Sequence, residues 1–294
     1  MKDKISNANF PMDAEGRVYH VGVRAGEVAP RLLTVGDPAR LHRIKKFLDP
    51  EPVPFEHVSA RGYTTITGKY KGVDVSLVAI GMGVAMVDFF VREIRAITTG
   101  PLAIVRFGSC GSLLPSLPVG SIGVPQKALQ ISTNYDHFHG EKGSPYLMSR
   151  PFEADEGLHQ ALIKSLEDNV ASPSCPIRSL PLHASADCFY SSQGRIDANF
   201  RDENETLIDD LLVKYPECSS LEMETAHLLH LASIAAPLPS PSVPNETIPS
   251  IRAAACHMVF AGRSTGEFID PEVVAELEPK VGRACLEALV GWEI

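Results

Sequence analysis

Positive charge is in short supply in this chain: 27 lysines and arginines stand against 36 aspartates and glutamates, a formal charge of −9. Nucleic acid and anionic membrane both demand a basic surface, so neither is expected as a partner, although a few local arginines can still hold a small anion. Cysteine is sparse and unpatterned. The six cysteines, at 110, 175, 188, 218, 256 and 285, lack any C-x-x-C spacing, which argues against a zinc site or a disulfide frame and for reduced thiols. No uninterrupted apolar run reaches the length of a membrane span, and the opening MKDKISNANF has no apolar core of a secretory signal. A cytoplasmic location is therefore expected. Internal repeats are lacking as well.

What is present describes a globular protein. Apolar residues make up 44% and charged residues 21% of 294 positions, too apolar for disorder and of a length that suits one large α/β domain with decorated loops. Leu32, Leu33 and Val35 run into Gly36, after which Asp37 can cap a helix with Pro38 in its first turn and Leu41, Ile44 and Leu48 on one face. Val73, Val75 and Leu77 predict a second strand leading to Gly81 and Gly83, and Leu102 to Phe107 a third that ends in a glycine-rich turn, Gly108-Ser109-Cys110-Gly111-Ser112. Helices are predicted over 155–169, 225–234 and 271–289, extended chain over 179–190, and a buried strand over 252–261. Five prolines between Ala235 and Pro249 require a surface loop. Strands interleaved with helices give a layered α/β fold.

Four segments carry candidate chemistry. Gly36-Asp37-Pro38-Ala39-Arg40 puts a glycine turn at a helix N-terminus, where free N–H groups and the dipole favour an anion, though on this segment alone a capped helix with a solvated arginine is the preferred reading. Arg106 sits in a buried-type strand two residues before the glycine-rich turn, and a charge there needs either an oxyanion, held with Ser109 and turn amides, or a salt bridge. That turn matches neither the dinucleotide G-x-G-x-x-G pattern nor the P-loop, which speaks against nicotinamide or ATP chemistry. Phe189-Tyr190-Ser191-Ser192-Gln193-Gly194-Arg195 gathers an aromatic face, an amide and a guanidinium that can match the N–H and C=O edge of uracil, or make an ordinary polar loop. Glu222-Met223-Glu224 offers two carboxylates for vicinal hydroxyls, for glycosidase chemistry or for a helix start. His137 and His139 lack further ligands at metal spacing, and no metal is expected.

Taken in this order, the segments resemble the uridine phosphorylases of the nucleoside phosphorylase family, from about Tyr19 to the C-terminal helix. The resemblance implies a single-domain three-layer αβα fold with a central mixed, partly barrel-like sheet flanked by helices. It divides the chain into an N-terminal extension, 1–18, and a phosphorylase domain, 19–294, with 235–249 as a proline-rich insertion. It places Gly36, Arg40, Arg106 and Ser109 in a phosphate cradle, joined by Arg61 from the neighbouring subunit. Cys110, Gly111, Glu222, Met223 and Glu224 fall at sugar and base contacts; Phe189, Gln193 and Arg195 at the uracil segment; Arg263 beside the base; and His20, after Tyr19, at the ribose 5′-hydroxyl of a partner's site. Arg106, Arg195, Arg263 and Glu224 carry the implied catalysis. The implied reaction is phosphorolysis of uridine, with deoxyuridine and thymidine as further substrates to test, no cofactor beyond phosphate as co-substrate, and a homo-oligomer that shares its sites between two subunits.

Departures from the family pattern matter too. Gly62 and Met86 stand where the bacterial enzymes hold a monovalent cation with glutamate and serine, so no such ion is expected. A purine nucleoside phosphorylase places an acid where Arg263 stands, and a hydrolytic nucleosidase has no need of three phosphate arginines. A non-catalytic nucleoside-binding regulator is the rival of another class.

Overall fold

The structure, a computed structural model, describes residues 5–239 and 247–294. Its strands are β1 (Arg31–Val35), β2 (Phe55–Val58), β3 (Thr64–Tyr70), β4 (Val73–Ala79), β5 (Leu102–Ser112), β6 (Ile122–Pro125), β7 (Lys127–Thr133), β8 (Tyr146–Met148), β9 (Phe152–Glu153), β10 (Ile177–Leu180), β11 (Leu182–Ala186), β12 (Cys218–Glu222), β13 (Leu238–Pro239), β14 (Thr247–Ile248) and β15 (Ile251–Gly262). Between them run α1 (Pro38–Lys45), α2 (Val84–Ile97), α3 (Tyr135–Phe138), α4 (Glu156–Asn169), α5 (Leu207–Lys214), α6 (Thr225–Ile234) and α7 (Pro271–Gly291).

One mixed sheet follows the order β2-β3-β4-β1-β5-β12-β11-β7-β8, and a branch through β15, β6 and β10 leaves it at β5. Alternation along β5 assigns the faces. Ala103, Val105 and Phe107 join Leu41 and Ile44 of α1, Leu158 and Leu162 of α4 and Val281 of α7 in one core, while Leu102 and Ile104 join Phe90 and Ile94 of α2 and Leu228 and Leu229 of α6 in another. This is the expected three-layer architecture with its central mixed sheet.

Local signals hold where the physics is local. Asp37 caps α1 by accepting from the Ala39 N–H at 2.9 Å, and Asp155 caps α4 by accepting from Leu158. One reading is corrected. The glycine-rich stretch after Phe107 is the second half of β5, which runs to Ser112, and not a turn. Gly108 pairs in register with His257 of β15, and a Cβ there would lie 2.6 Å from the His257 Nδ1, so the glycine serves close strand packing rather than reversal of the chain. Extended chain over 179–190 also breaks up: β10 ends at Leu180 and β11 at Ala186, and a 3₁₀ turn follows at Ser191–Gln193. Of the proline-rich segment, Leu238–Pro239 and Thr247–Ile248 pair as a two-stranded ribbon, and 240–246 lie outside the described residues.

Helix α7 is seated on α1 through a glycine. A Cβ on Gly282 would approach the Ile44 Cγ1 to 2.4 Å and its Cδ1 to 2.6 Å. We expect Gly282→Ala to lower stability by about 1–3 kcal/mol through overpacking, although alanine suits a helix better by ~1 kcal/mol. Urea denaturation checks this, and in an Ile44→Ala background the same change should be neutral or stabilising. A stabilised Gly282→Ala in the wild-type background would contradict the contact.

Candidate active site

The site begins at a fork in the sheet. Strand β1 runs beside β5 as far as Val35 opposite Phe107, and β12 takes over the same edge only at Gly111. Between them Gly108, Ser109 and Cys110 have β15 on one side and no ladder partner on the other. Backbone polar groups left open at such a divergence are where α/β sheets bind ligands. The sequence reading sought free amides in a turn; a split sheet offers them instead.

By the alternation of β5, Arg106 points to the α6 face, where Glu222 closes β12 and Glu224 occupies the N-cap position of α6. The guanidinium is 4% exposed. Its Nε donates to Glu222 at 3.2 Å and its Nη2 to the Glu224 carboxylate, while Nη1 is buried with no partner among the described residues. A buried charge is stable only when paired and hydrogen-bonded, so both anticipated readings of Arg106 apply: two arms are in salt bridges and one donor is left for a ligand.

Glu222 is held on nearly every lone pair. It accepts from the N–H groups of Glu224 at 2.9 Å and Thr225 at 3.0 Å, from the Ser185 hydroxyl and from Arg106. Burial works to raise its carboxyl, but the His183 imidazole 3.2 Å away and the Arg106 guanidinium hold it well below the ordinary carboxylate range. Glu224 goes the other way. Burial, with the adjacent Glu222 charge, pushes it up to about 7 against the pull of Arg106 and of the Gly83 N–H, which donates to it at 2.5 Å. Beneath this pair, His183 and His257 stack with ring centroids 4.7 Å apart and planes 6° from parallel. Burial keeps His257 well below its usual pKa, hence neutral. With Glu222 these two histidines form a group close enough to surround an ion. Lone pairs in parallel ring planes do not converge, however, so the pair reads as a stacked floor beneath Glu222.

A second arginine arrives from the opposite face. Arg40 of α1 is buried, donates through Nε to Glu278 of α7 at 2.8 Å and through Nη1 to the Phe107 carbonyl at 3.3 Å, and lies over the Phe107 ring at 4.6 Å. Arg43 shares Glu278 at 2.6 Å. Arg40 is thus no solvated helix arginine. Arg40 and Arg106 meet in a cleft of about 460 Å³ whose wall also contains Gly36, Ser109, Cys110, Gly111, Phe189, Gln193, Arg195, Glu222, Met223 and Glu224. Burial raises the Cys110 thiol, which disfavours the reactive thiolate at neutral pH.

The far wall is the 3₁₀ turn after β11. Ser192 ties its start to Asp187, and Gly194 ends it at φ +61°, a conformation that favours glycine, where a Cβ would also press on the Ile208 Cγ1 at 3.0 Å. Gln193 is 2% exposed and its Nε2 reaches the Glu222 carbonyl at 3.4 Å. Arg195 covers the Phe189 ring at 4.1 Å and donates to the Phe189 carbonyl. Arg263, expected beside the base, is not on the cleft wall. Its Nη1 and Nη2 donate to the carbonyls of Gln193 and Gly194 at 2.9 and 3.1 Å, so it braces the turn from behind. Tyr19, His20 and Arg61 also lie off this wall, as one cluster: Arg61 bonds the Tyr19 hydroxyl and lies over its ring, and Tyr19 meets His20 edge to face.

Sequence reasoning missed Glu278, Asp187, His183 and His257. Glu278 had a signal, being an acid on the apolar stripe of α7 beside Leu277 and Val281; the histidines had none, because their meeting depends on how β11 and β15 come together. His137, for which no metal was expected, bonds Glu203 at 2.8 Å and the Gly143 carbonyl.

A family model described as the Phosphorylase superfamily matches residues 30–239. A uridine phosphorylase of Thermococcus kodakarensis is 31% identical over 271 residues, 91% of this chain and 86% of that relative. A DeoD-type purine nucleoside phosphorylase of Oceanobacillus iheyensis is 28% identical over 221 residues, 73% of this chain and 80% of its own length. Among solved structures, one from a study of two diverse uridine phosphorylases in the oomycete Phytophthora capsici superimposes with a TM-score of 0.89 at 38% identity, covering 99% of this chain and all of its own. Two-arginine cleft, forked sheet and family match agree along the same stretch of chain: the protein belongs to the phosphorylase superfamily.

Proposed function

We propose that the protein is an enzyme that splits uridine with inorganic phosphate, giving uracil and ribose 1-phosphate. The observation that carries this reading is Arg106, buried at the fork with one guanidinium nitrogen unpartnered among the described residues, on the wall of a cleft that Arg40 also enters. An anion at that point completes the arginine's bonding, and charge-assisted bonds to it are about twice as strong as neutral ones.

Phosphate is already a nucleophilic anion at neutral pH, so positioning and charge placement do most of the catalytic work. In this reading the open amides of Gly108–Cys110 and the two arginines hold phosphate under C1′. Glu224 accepts from the ribose hydroxyls, and Met223 packs against the sugar. As the glycosidic bond lengthens, negative charge grows on uracil. Gln193 and Arg195 meet its amide edge beside the Phe189 ring, and Arg263 acts through the turn it braces. A site whose buried polar groups match one base edge rejects bases that leave them unpaired. The greater identity and reach of the uridine phosphorylase relative favour the pyrimidine reading over the purine one.

Three phosphate arginines require a second subunit, because Arg61 is exposed and away from its own chain's cleft wall. A two-fold dimer, alone or within a larger ring, makes each chain both donor and recipient of the Tyr19–His20–Arg61 cluster.

Uracil release from uridine should be strictly phosphate-dependent, and Arg106→Ala should lose most of it; equal release in phosphate-free buffer would make the protein a hydrolase. Arg61→Ala and Arg106→Ala proteins should each be nearly inactive alone. Co-refolded in equal amounts they should regain about a quarter of wild-type activity, since about half of random dimers are mixed and each has one intact site. No recovery despite verified subunit exchange would return Arg61 to the role of a surface arginine.

A further inference from the structure

Glu93 lies on the inward side of α2, 5% exposed, with no part in the cleft. Its carboxylate gathers four close contacts from one short segment. The His20 backbone N–H reaches Oε1 at 3.1 Å and Oε2 at 3.0 Å, the Val21 N–H reaches Oε2 at 2.8 Å, and the His20 Nδ1 lies 2.6 Å from Oε1. A carboxylate only accepts, so Nδ1 carries a proton and Nε2 is the ring nitrogen left for a ligand. That Nε2 has no hydrogen-bond partner among the described residues. Two further contacts fix the ring. Phe89, one turn before Glu93, stacks on it at 3.8 Å and 6°, and Tyr19 meets it edge-on at 5.0 Å.

We propose that Glu93 is a positioning residue: by holding the protonated Nδ1 it fixes the direction of the His20 ring so that Nε2 is presented, ready-made, to the 5′-hydroxyl of a nucleoside in the partner subunit's cleft. The inference rests on the shared site described above. Glu93 itself touches no substrate. Its contribution is that His20 loses no rotational freedom when the hydroxyl arrives, the advantage that outer carboxylates give to oriented imidazoles generally. A merely structural Glu93, tying the segment Val18–Val21 to α2, would support every substrate alike. A positioning Glu93 matters only when there is a 5′-hydroxyl to receive.

The test compares kcat/KM for uridine and 5′-deoxyuridine in the assembled enzyme at saturating phosphate. Wild type should favour uridine by about tenfold or more, the worth of a hydrogen bond left unmade in a buried site. His20→Ala should bring that ratio close to one. Glu93→Gln puts an amide N–H₂ where an accepting oxygen stood, and should lower the ratio severalfold while leaving 5′-deoxyuridine within about twofold of wild type. Glu93→Asp, keeping the carboxylate, should recover part of the ratio, and Phe89→Leu, which frees the ring without touching Glu93, should lower it. Should Glu93→Gln not fold, these last two decide. Equal losses on both substrates, or an unchanged ratio in Glu93→Gln beside a collapsed one in His20→Ala, would overturn the role of Glu93. A ratio unchanged by His20→Ala would overturn it too, while leaving phosphorolysis intact; failure of the wild type to cleave uridine would instead reject the functional reading itself.

Discussion

Everything in the cleft depends on a single ion pair network, Arg106 between Glu222 and Glu224. Burying a guanidinium costs several kcal/mol unless its donors are met, and two carboxylates side by side repel. The three groups solve each other's problem. Glu222, saturated by backbone N–H groups, the Ser185 hydroxyl and Arg106, stays anionic. Glu224 is left poised near neutrality and Arg106 retains one unpartnered arm. The result is an arginine fixed in direction before any ligand arrives, which is what electrostatic preorganisation requires.

The sheet makes this arrangement possible. A strand whose residues alternate faces can send Arg106 to one side and Phe107 to the other, and Phe107 in turn seats Arg40 by its carbonyl and its ring. Two arginines thereby line one cleft from opposite layers of the fold, each anchored by a glutamate from a different element, Glu278 of α7 and Glu222 of β12. The divergence of β1 from β12 opens the edge of β5 at the same level. Charge and open backbone therefore coincide because of register, and a shift of β5 by one residue would exchange the faces of Arg106 and Phe107.

How much of this the sequence disclosed follows from the range of each interaction. Caps and amphipathic stripes are local, and α1, α4, α6 and α7 stand within a few residues of where periodicity put them. The cleft residues were legible as types: an arginine in an apolar strand, a glutamine and an arginine after an aromatic, two acids before a helix. Their partners were not. Glu278 meets Arg40 across 238 positions, and His183 meets His257 only through sheet pairing. Glycines misled for a physical reason: Gly108 and Gly111 were read as reversing the chain, whereas they sit in extended strand, where β15 residues pack on Gly108 and the Arg263 stem on Gly111. Arg263 carries the right chemistry for a base contact, and through Nη1 and Nη2 it donates to the carbonyls of Gln193 and Gly194 in the turn of the uracil segment.

If Arg106 works as a fork, serving Glu222, Glu224 and the anion with separate nitrogens, then charge alone cannot replace it. Calorimetric titration of inorganic phosphate into Arg106→Lys, beside wild type, tests this directly. Lysine keeps the positive charge but offers one nitrogen in place of three, without the planar geometry. The account predicts phosphate affinity weakened by about tenfold or more in Arg106→Lys, the cost of one charge-assisted hydrogen bond lost; phosphate binding as tight as in wild type would contradict it.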